Sequence, residues 1–478
     1  MAPRWLQPAQ ARTPRFLMIA LCSACLVSFF LVAVVFSPPA AIRTHLSPQT
    51  EELKFSIPTT NFSLPGPPPQ VTEKDEYKDR LVGLGTSDPE PLPAAVDTSG
   101  LRYAILMPTF EGHFDNTIKF LQDLRCLCVD HNELDIQIIV SDSHEQAAFR
   151  ALLAARLQPC NSTYSRFPVP PTLRAAPAPR VNVTNLFDIL PPLLLDTEGV
   201  SADDTSPLLR ARGKYVYQSV KKLAAAFAFA YDVALWLDAE AAVVQPFAAR
   251  AGLFDEWVRS PGPLFRSRMA RQPWMVRLMG DAWRVLGREQ SSFGELGWVL
   301  ESMMWMVDKA ILNDMRDWVE RAHGIPDFWA VWLDYGAPFE ILLYNAHIVA
   351  RKLETTDSVY SPYAVLETER EMIRFGMQPA FEHIEHRTDT GFLERAYTML
   401  RTPAVWPNFS AFLRRHRQRI VRLEELDLAP PEVYDRLLLD TPVFLLASGD
   451  VPLHEWWEGR MREGAPLYGG AVNWTDFS

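Results

Sequence analysis

Apolar positions along this chain fall into a few runs of distinct length and period. The longest, FLMIALCSACLVSFFLVAVVF at Phe16 to Phe36, is free of charge over the ~20 residues that a helix needs to cross a bilayer. Two shorter runs, LRYAILM at Leu101 to Met107 and LDIQIIV at Leu134 to Val140, fit strands buried in a sheet. Between them Asp115 or Asn116 is placed to cap a helix with Ile118, Leu121, Leu124 and Cys128 along one face. KYVYQSVKKLAAAFAFAY, from Lys214, has the helical period and leads into a third apolar run, DVALWL. Strand, helix and strand repeated at this spacing predict an α/β fold built on a mainly parallel sheet. Beyond Phe247 helical patterns dominate, as in GWVLESMMWMVDKAILNDMRDW at Gly297 to Trp318, where Trp298, Met304 and Trp305 have core spacing.

The long run is too extended for a cleaved signal and leads into Ser37-Pro38-Pro39, so it predicts a retained anchor. Arg4, Arg12 and Arg15 precede it with no acidic residue, which places residues 1–15 in the cytoplasm and everything after residue 36 in the lumen or outside. The N-x-S/T acceptors at Asn61, Asn161, Asn182, Asn408 and Asn473 all follow the anchor and agree with that topology. Residues 37–100 are proline-rich, with PGPPPQ at Pro65 to Gln70, and lack apolar periodicity, as expected of an extended, disordered stem. The remaining roughly 380 residues, 101–478, suffice for a large core. Within them, residues 101–247 form the strand-and-helix half and 248–478 the helical part. Pro159 to Arg212, with PVPPT, APAP and LPPLLLD, is expected to be a surface insertion and not core.

A formal charge of -11 argues against nucleic acid, which is bound by clustered Lys and Arg. The one dense basic run, RRHRQRIVR at Arg414 to Arg422, reads as the solvated face of a helix whose Phe412, Leu413, Ile420 and Leu423 point inward. Cys22 and Cys25 belong to the anchor, which leaves Cys126, Cys128 and Cys160 in an oxidising compartment: one disulfide and one free thiol, with the pairing open. A zinc site would need a second cysteine pair.

In an open α/β sheet ligands bind beyond the carboxyl ends of the strands. Here those ends are Pro108-Thr109-Phe110, Ser141-Asp142 and Asp238-Ala239-Glu240. An acid pair two apart arises by chance about seven times in a chain with this many carboxylates, so its place at the end of an apolar strand is what singles out Asp238 and Glu240. Two carboxylates converging on one spot repel unless a cation lies between them, and Mn²⁺ or Mg²⁺ suits all-oxygen ligands.

PTF after a first strand, IIVSD ending a second, a lysine-bearing helix and LDAE ending a third resemble the nucleotide-binding half of GT-A-fold nucleotide-sugar glycosyltransferases over residues 101–247. The anchor and proline-rich stem are similar to the layout of Golgi-resident transferases. The resemblance implies a GT-A-like sheet flanked by helices and a metal-dependent transfer of sugar from a nucleotide-sugar donor to a glycan, glycolipid or protein, in the Golgi or endoplasmic reticulum membrane. It implies that Pro108, Thr109 and Phe110 lie under the base and ribose and that Asp142 binds the base. Lys221 or Lys222 would reach the phosphates, and Asp238 with Glu240 would hold the cation. The departure from D-x-D to D-x-E moves the second carboxylate by ~1.3 Å. Either the backbone compensates, or Asp238 binds the metal alone, or the site is weakened. A third ligand is offered by FEHIEHR, where His383 and His386 share a face if helical.

An inverting transfer needs a base for the acceptor hydroxyl. The candidates are Glu340 in YGAPFEILLY, Asp334 in VWLDYG and Glu301 in LESMMW, with Glu340 preferred because it follows a Gly-Ala-Pro turn and opens an apolar helix. Two other readings compete: a catalytically silent domain of the same fold that binds a glycan or partner, and a metal-free hydrolase using Glu301 and Glu340. No G-x-S-x-G or G-x-G-x-x-G occurs.

Overall fold

The computed structural model describes residues 96–164, 167–267, 273–289, 299, 304–354, 359–377, 403–422 and 441–448, all within the unit from Glu73 to Ser478. The expected tail, anchor and nearly all of the expected stem lie outside them. Among the described residues no helix is long and apolar enough to cross a membrane.

The first half follows the predicted alternation. Strand β1 (Tyr103–Pro108) is buried along its whole length. Helix α1 (Phe114–Leu127) packs Ile118, Leu121 and Leu124 inward. It starts earlier than expected: His113 occupies the N-cap position without a side-chain bond to the helix, and neither Asp115 nor Asn116 caps it. Cys128 is buried, but in extended backbone just past the helix end. Next come β2 (Leu134–Val140) and α2 (Ser143–Arg156).

The expected insertion is only partly a surface feature. Within it Arg180–Asn185 forms β3, which pairs in parallel with β2 from Asp135↔Arg180 to Val140↔Asn185. Val183, Thr184 and Asn185 are buried at the sheet edge. The proline-rich sequence on either side hides this strand, because a six-residue edge strand buries only its last three positions and so lacks a full apolar run.

Helix α3 (Lys214–Ala228) leads to β4 (Val233–Trp236), parallel to β1. The central sheet is completed by β5 (Met306–Asp308), antiparallel to β4, and its strand order is β3-β2-β1-β4-β5. The presence of β5 corrects the reading of Gly297 to Trp318 as helix throughout. Met306 and Val307 fill the sheet edge, and Asp308 then accepts from the Ala310 and Ile311 N–H groups to cap α4 (Lys309–His323).

Chain order runs outward from β1 to β3 and then returns to the other side of β1 at β4. The gap between the carboxyl ends of β1 and β4 is therefore the switch point where ligands bind in such sheets. With right-handed crossovers, that reversal puts α3 on the face opposite α1 and α2. There α3 is enclosed between the sheet and the helical part, in which α5 (Phe328–Asp334) and α6 (Glu340–Glu354) follow α4. Enclosure on both sides explains why Lys221 and Lys222, on the α3 interior, are only 3% and 4% exposed.

Further on, α7 (Trp406–Arg415) buries Phe409, Phe412 and Leu413. The basic run is not one solvated helix: it leaves α7 at His416 and enters a short strand, Ile420–Arg422. In the turn between them Arg417 and Arg419 pair with Glu256, and His416 pairs with Glu371. Ile420 is buried as expected, while Leu423 lies outside the described residues.

Candidate functional site

The ends of β1 and β4 flank the switch point and the end of β2 lies beside that of β1, but the polar groups at the three ends are joined differently from what the sequence suggests. At the ends of β1 and β2, Lys221 Nζ donates to the Thr109 carbonyl at 2.8 Å and to Ser141 Oγ at 3.0 Å. The Glu145 carboxylate accepts from the Ser141 N–H at 2.7 Å and the Glu111 N–H at 3.0 Å, bracing the loops after both strands. Thr109 is buried with its hydroxyl against Thr117, and Pro108 lies inside β1. Asp142 caps α2 through the Glu145 N–H at 2.8 Å, so one of its oxygens serves the helix terminus and not a ligand.

Burial strips water from the Lys221 ammonium and lowers its pKa to about 8, while the Glu145 and Asp142 charges act in the opposite direction. Lys221 is thus a brace between strand ends. The sequence offered it as a phosphate ligand, but its bonds go to backbone and hydroxyl groups instead.

Phe110 is the exposed member of the first strand end, at 40%. Its ring lies 4.2 Å from that of His113, centroid to centroid. Gly112 permits this fold-back: a Cβ there would come within 2.7 Å of the Phe110 ring. Phe110 and His113 together form an aromatic surface at the lip of the crevice, of the kind on which a planar base can stack.

Asp238 and Glu240 are bound to different partners. After β4 the chain turns, with the Ala241 N–H bonded to the Asp238 carbonyl, and the two carboxylates engage different partners. Glu240 Oε1 accepts from His113 Nδ1 at 2.6 Å. Asp238 Oδ1 lies 2.8 Å from Lys222 Nζ. The same ammonium lies 3.0 Å from Glu340 Oε1 and 4.6 Å from the centre of the Trp305 ring. Ser219 Oγ donates to the other Glu340 oxygen.

Ser219 and Lys222 are three apart and so share a face of α3. Tyr215, one turn earlier on that face, is 68% exposed and meets the Phe339 ring at 5.7 Å. The face therefore runs from an open aromatic pair at Tyr215 and Phe339 to the closed Lys222, Asp238 and Glu340 cluster.

Glu340 is 4% exposed and opens α6, as predicted. Two consecutive residues with positive φ, Gly336 at 89° and Ala337 at 47°, make the turn that sets its direction. The Ala337 N–H reaches back to the Trp332 carbonyl at 2.8 Å, closing the end of α5. Left-handed backbone at an alanine is strained, and here it lies three residues before the buried carboxylate. Asp334 does not join this cluster: it is exposed at the last residue of α5, where the helix dipole disfavours a negative charge. Glu301 and His383, with His386, fall outside the described residues, as does Trp298. Met304 and Trp305 are buried, as their spacing predicts.

A divalent cation needs several oxygen ligands converging on one point. Among the described residues no three His, Cys, Asp or Glu side chains are so placed. The acid pair itself is shared out between Lys222 and His113. With those partners the residues do not fit the metal seat that the sequence resemblance implies; the sequence offers Lys222 only as a phosphate ligand, because its carboxylate partners depend on how α3 and α6 pack.

Cys126 and Cys160 form the disulfide and Cys128 is the free, buried thiol. Of the glycosylation acceptors, Asn161 and Asn182 are exposed, the latter on β3 with its amide donating to Gln137 at 2.8 Å. Asn408 is half-buried on α7, with Ser410 of its acceptor triplet buried, which departs from the surface loop such a triplet predicts. Asn61 and Asn473 lie outside the described residues.

No family model matches the chain, and no curated protein sequence matches it. Among solved structures, mouse xyloside xylosyltransferase 1 in its apo form aligns with 52% of this chain and 81% of its own, at 16% identity and a TM-score of 0.27. So distant a likeness carries no argument about fold or activity.

Proposed function

We propose that this chain is a glycosyltransferase that moves a sugar from a nucleotide-sugar donor to a hydroxyl of a glycan, glycolipid or protein acceptor. The observation that carries the reading is the joining of Asp238 and Glu340, about a hundred residues apart, through one buried ammonium at the switch point of a parallel sheet. A carboxylate held in that crevice is the group an acceptor hydroxyl needs.

In this reading the base of the donor stacks on Phe110 and His113, and the sugar lies toward Asp238 and Glu340. The acceptor enters over Tyr215 and Phe339. Its oxygen attacks the anomeric carbon, the bond from that carbon to the phosphate oxygen breaks, and the electron pair leaves with the nucleoside diphosphate. Glu340 takes the proton; Ser219 and Lys222 fix its orientation, and an ionised carboxylate has lone pairs beyond those two bonds. Among the described residues no three His, Cys, Asp or Glu side chains converge, so no step is assigned to the Mn²⁺ or Mg²⁺ expected from the acid pair.

A single N-terminal membrane span with the catalytic unit in the lumen of the Golgi or endoplasmic reticulum belongs to the same proposal. It is supported by the run Phe16 to Phe36, by the Cys126–Cys160 disulfide, which suits an oxidising compartment, and by the exposed Asn161. The test is purified full-length protein against a panel of nucleotide sugars. Donor hydrolysis, or thermal stabilisation by one nucleotide diphosphate, is expected; a flat response to the whole panel sinks the reading.

One observation favours a catalytically silent binding domain instead: both acids of the D-x-E pair already have cationic or imidazole partners. Asp238→Asn separates the two. Turnover falls by orders of magnitude in a transferase, whereas a binding domain keeps its glycan or protein partner.

A further inference from the structure

We propose that the Lys222 ammonium is the resident cation of the acid cluster, standing where a divalent metal ion would otherwise be required, and that the cluster binds no Mn²⁺ or Mg²⁺ while Lys222 is present. This rests on the transferase reading only in assigning the cluster a catalytic purpose. The placement of Lys222 between Asp238 and Glu340 is independent of it.

Two carboxylates brought together in a place that is buried at Glu340 and half-buried at Asp238 need a positive charge between them. Here that charge is supplied covalently by the protein: Lys222 Nζ is within 3.0 Å of both Asp238 and Glu340, and the Trp305 π-face adds a third favourable contact. Its backbone is fixed because α3 is enclosed between the sheet and the helices of the second half. A metal bound to Asp238 at the usual ~2.1 Å would lie within a few ångströms of the ammonium. The two positive charges would repel, and Glu340 would be left to choose between them. The alternative partner, Glu240, is drawn off by His113 at 2.6 Å. The D-x-E departure is then no weakened metal motif, because Glu240 has been given a different task and its extra methylene helps it reach the imidazole.

The consequence is a chemical exchange that can be measured. Removing the lysine side chain beyond Cβ leaves Asp238 and Glu340 facing a gap that a divalent ion can fill by taking their oxygens in place of some of its waters. Full-length wild-type protein and Lys222→Ala are titrated with Mn²⁺ alone. The free-ion electron paramagnetic resonance signal reports binding, and the melting temperature reports stability. Wild type is expected to leave the free Mn²⁺ signal unchanged up to millimolar concentration. Lys222→Ala is expected to melt several degrees lower in EDTA and to recover when Mn²⁺ is added, with recovery lost in Lys222→Ala/Asp238→Asn. Saturable Mn²⁺ binding to wild type that Asp238→Asn abolishes overturns the proposal. Where Lys222→Ala fails to fold, absence of such binding, or binding that survives Asp238→Asn, upholds it. A folded Lys222→Ala that ignores Mn²⁺ also overturns it. Because the readouts are metal binding and melting, a protein that hydrolyses no donor can still pass, and a working transferase can still fail.

Discussion

Lys221 and Lys222 are consecutive residues of α3, almost equally buried, yet they serve two different regions. Lys221 faces the ends of β1 and β2, where its bonds go to a carbonyl and a hydroxyl and its charge is poorly compensated. Lys222 faces the end of β4 and the start of α6, where it lies between two carboxylates. The first region is a brace, held by neutral partners and by Glu145 on two backbone N–H groups. The second is a charged cluster assembled from distant parts of the chain. Burial alone therefore does not mark a functional lysine; what decides is whether the groups around it carry charge that chemistry can use.

The largest expected effect separates the two regions by turnover. Glu340→Gln keeps the shape of the cluster but removes the base, and transfer to an acceptor should fall about 10²–10⁴-fold. Glu145→Gln should cost stability of about 1–2 kcal/mol while leaving turnover within a few-fold, because the lost charge strengthened two backbone bonds and offset the burial of Lys221, none of which is in the Glu340 cluster. Initial rates and urea midpoints on the two variants measure this, and equal losses of turnover would erase the distinction.

The next effect is a pH dependence carried by Lys221. Its pKa is about 8 in the folded protein against 10.5 for the free group. Between those values the unfolded chain holds the extra proton, so wild-type stability gains from this group as pH rises from about 8 to 10.5, at up to about 1.4 kcal/mol per pH unit. Lys221→Met should lack that contribution. Denaturant unfolding of both proteins at several pH values across the window gives the difference, and parallel pH curves would contradict the brace assignment.

The smallest effect concerns the open end of the α3 face. Tyr215→Ala should raise the acceptor KM several-fold, about 1 kcal/mol, with kcat nearly unchanged, and Tyr215→Trp should restore it, since only an aromatic surface is required. If alanine and tryptophan behave alike, Tyr215 is no part of the acceptor path.

Much of this architecture can be read along the chain. β1 and β4 appear as compact apolar runs because they are buried on both faces, and β2 because its last three positions are, while α1 and α3 keep the helical period between them. β3 and β5 escape for opposite reasons. β3 is an edge strand with exposed Arg180 and Asn182 and prolines nearby, and β5 is an apolar triplet joined to a strong helix pattern. At the site, Glu340 is legible from the turn before it, since Gly336 marks left-handed backbone. His113 carries no such signal, as its partner Glu240 is more than a hundred residues away.

The sequence by itself determined the α/β class, the parallel sheet and the strand ends that form the crevice, because those follow from the local period of apolar positions and from the rule that binds ligands at carboxyl ends. The tertiary structure alone decided what the acids there do. A carboxylate has no fixed partner in sequence, and its charge goes to whichever cation packing brings within about 3 Å. For Asp238 and Glu340 that cation is Lys222, and for Glu240 the partner is His113.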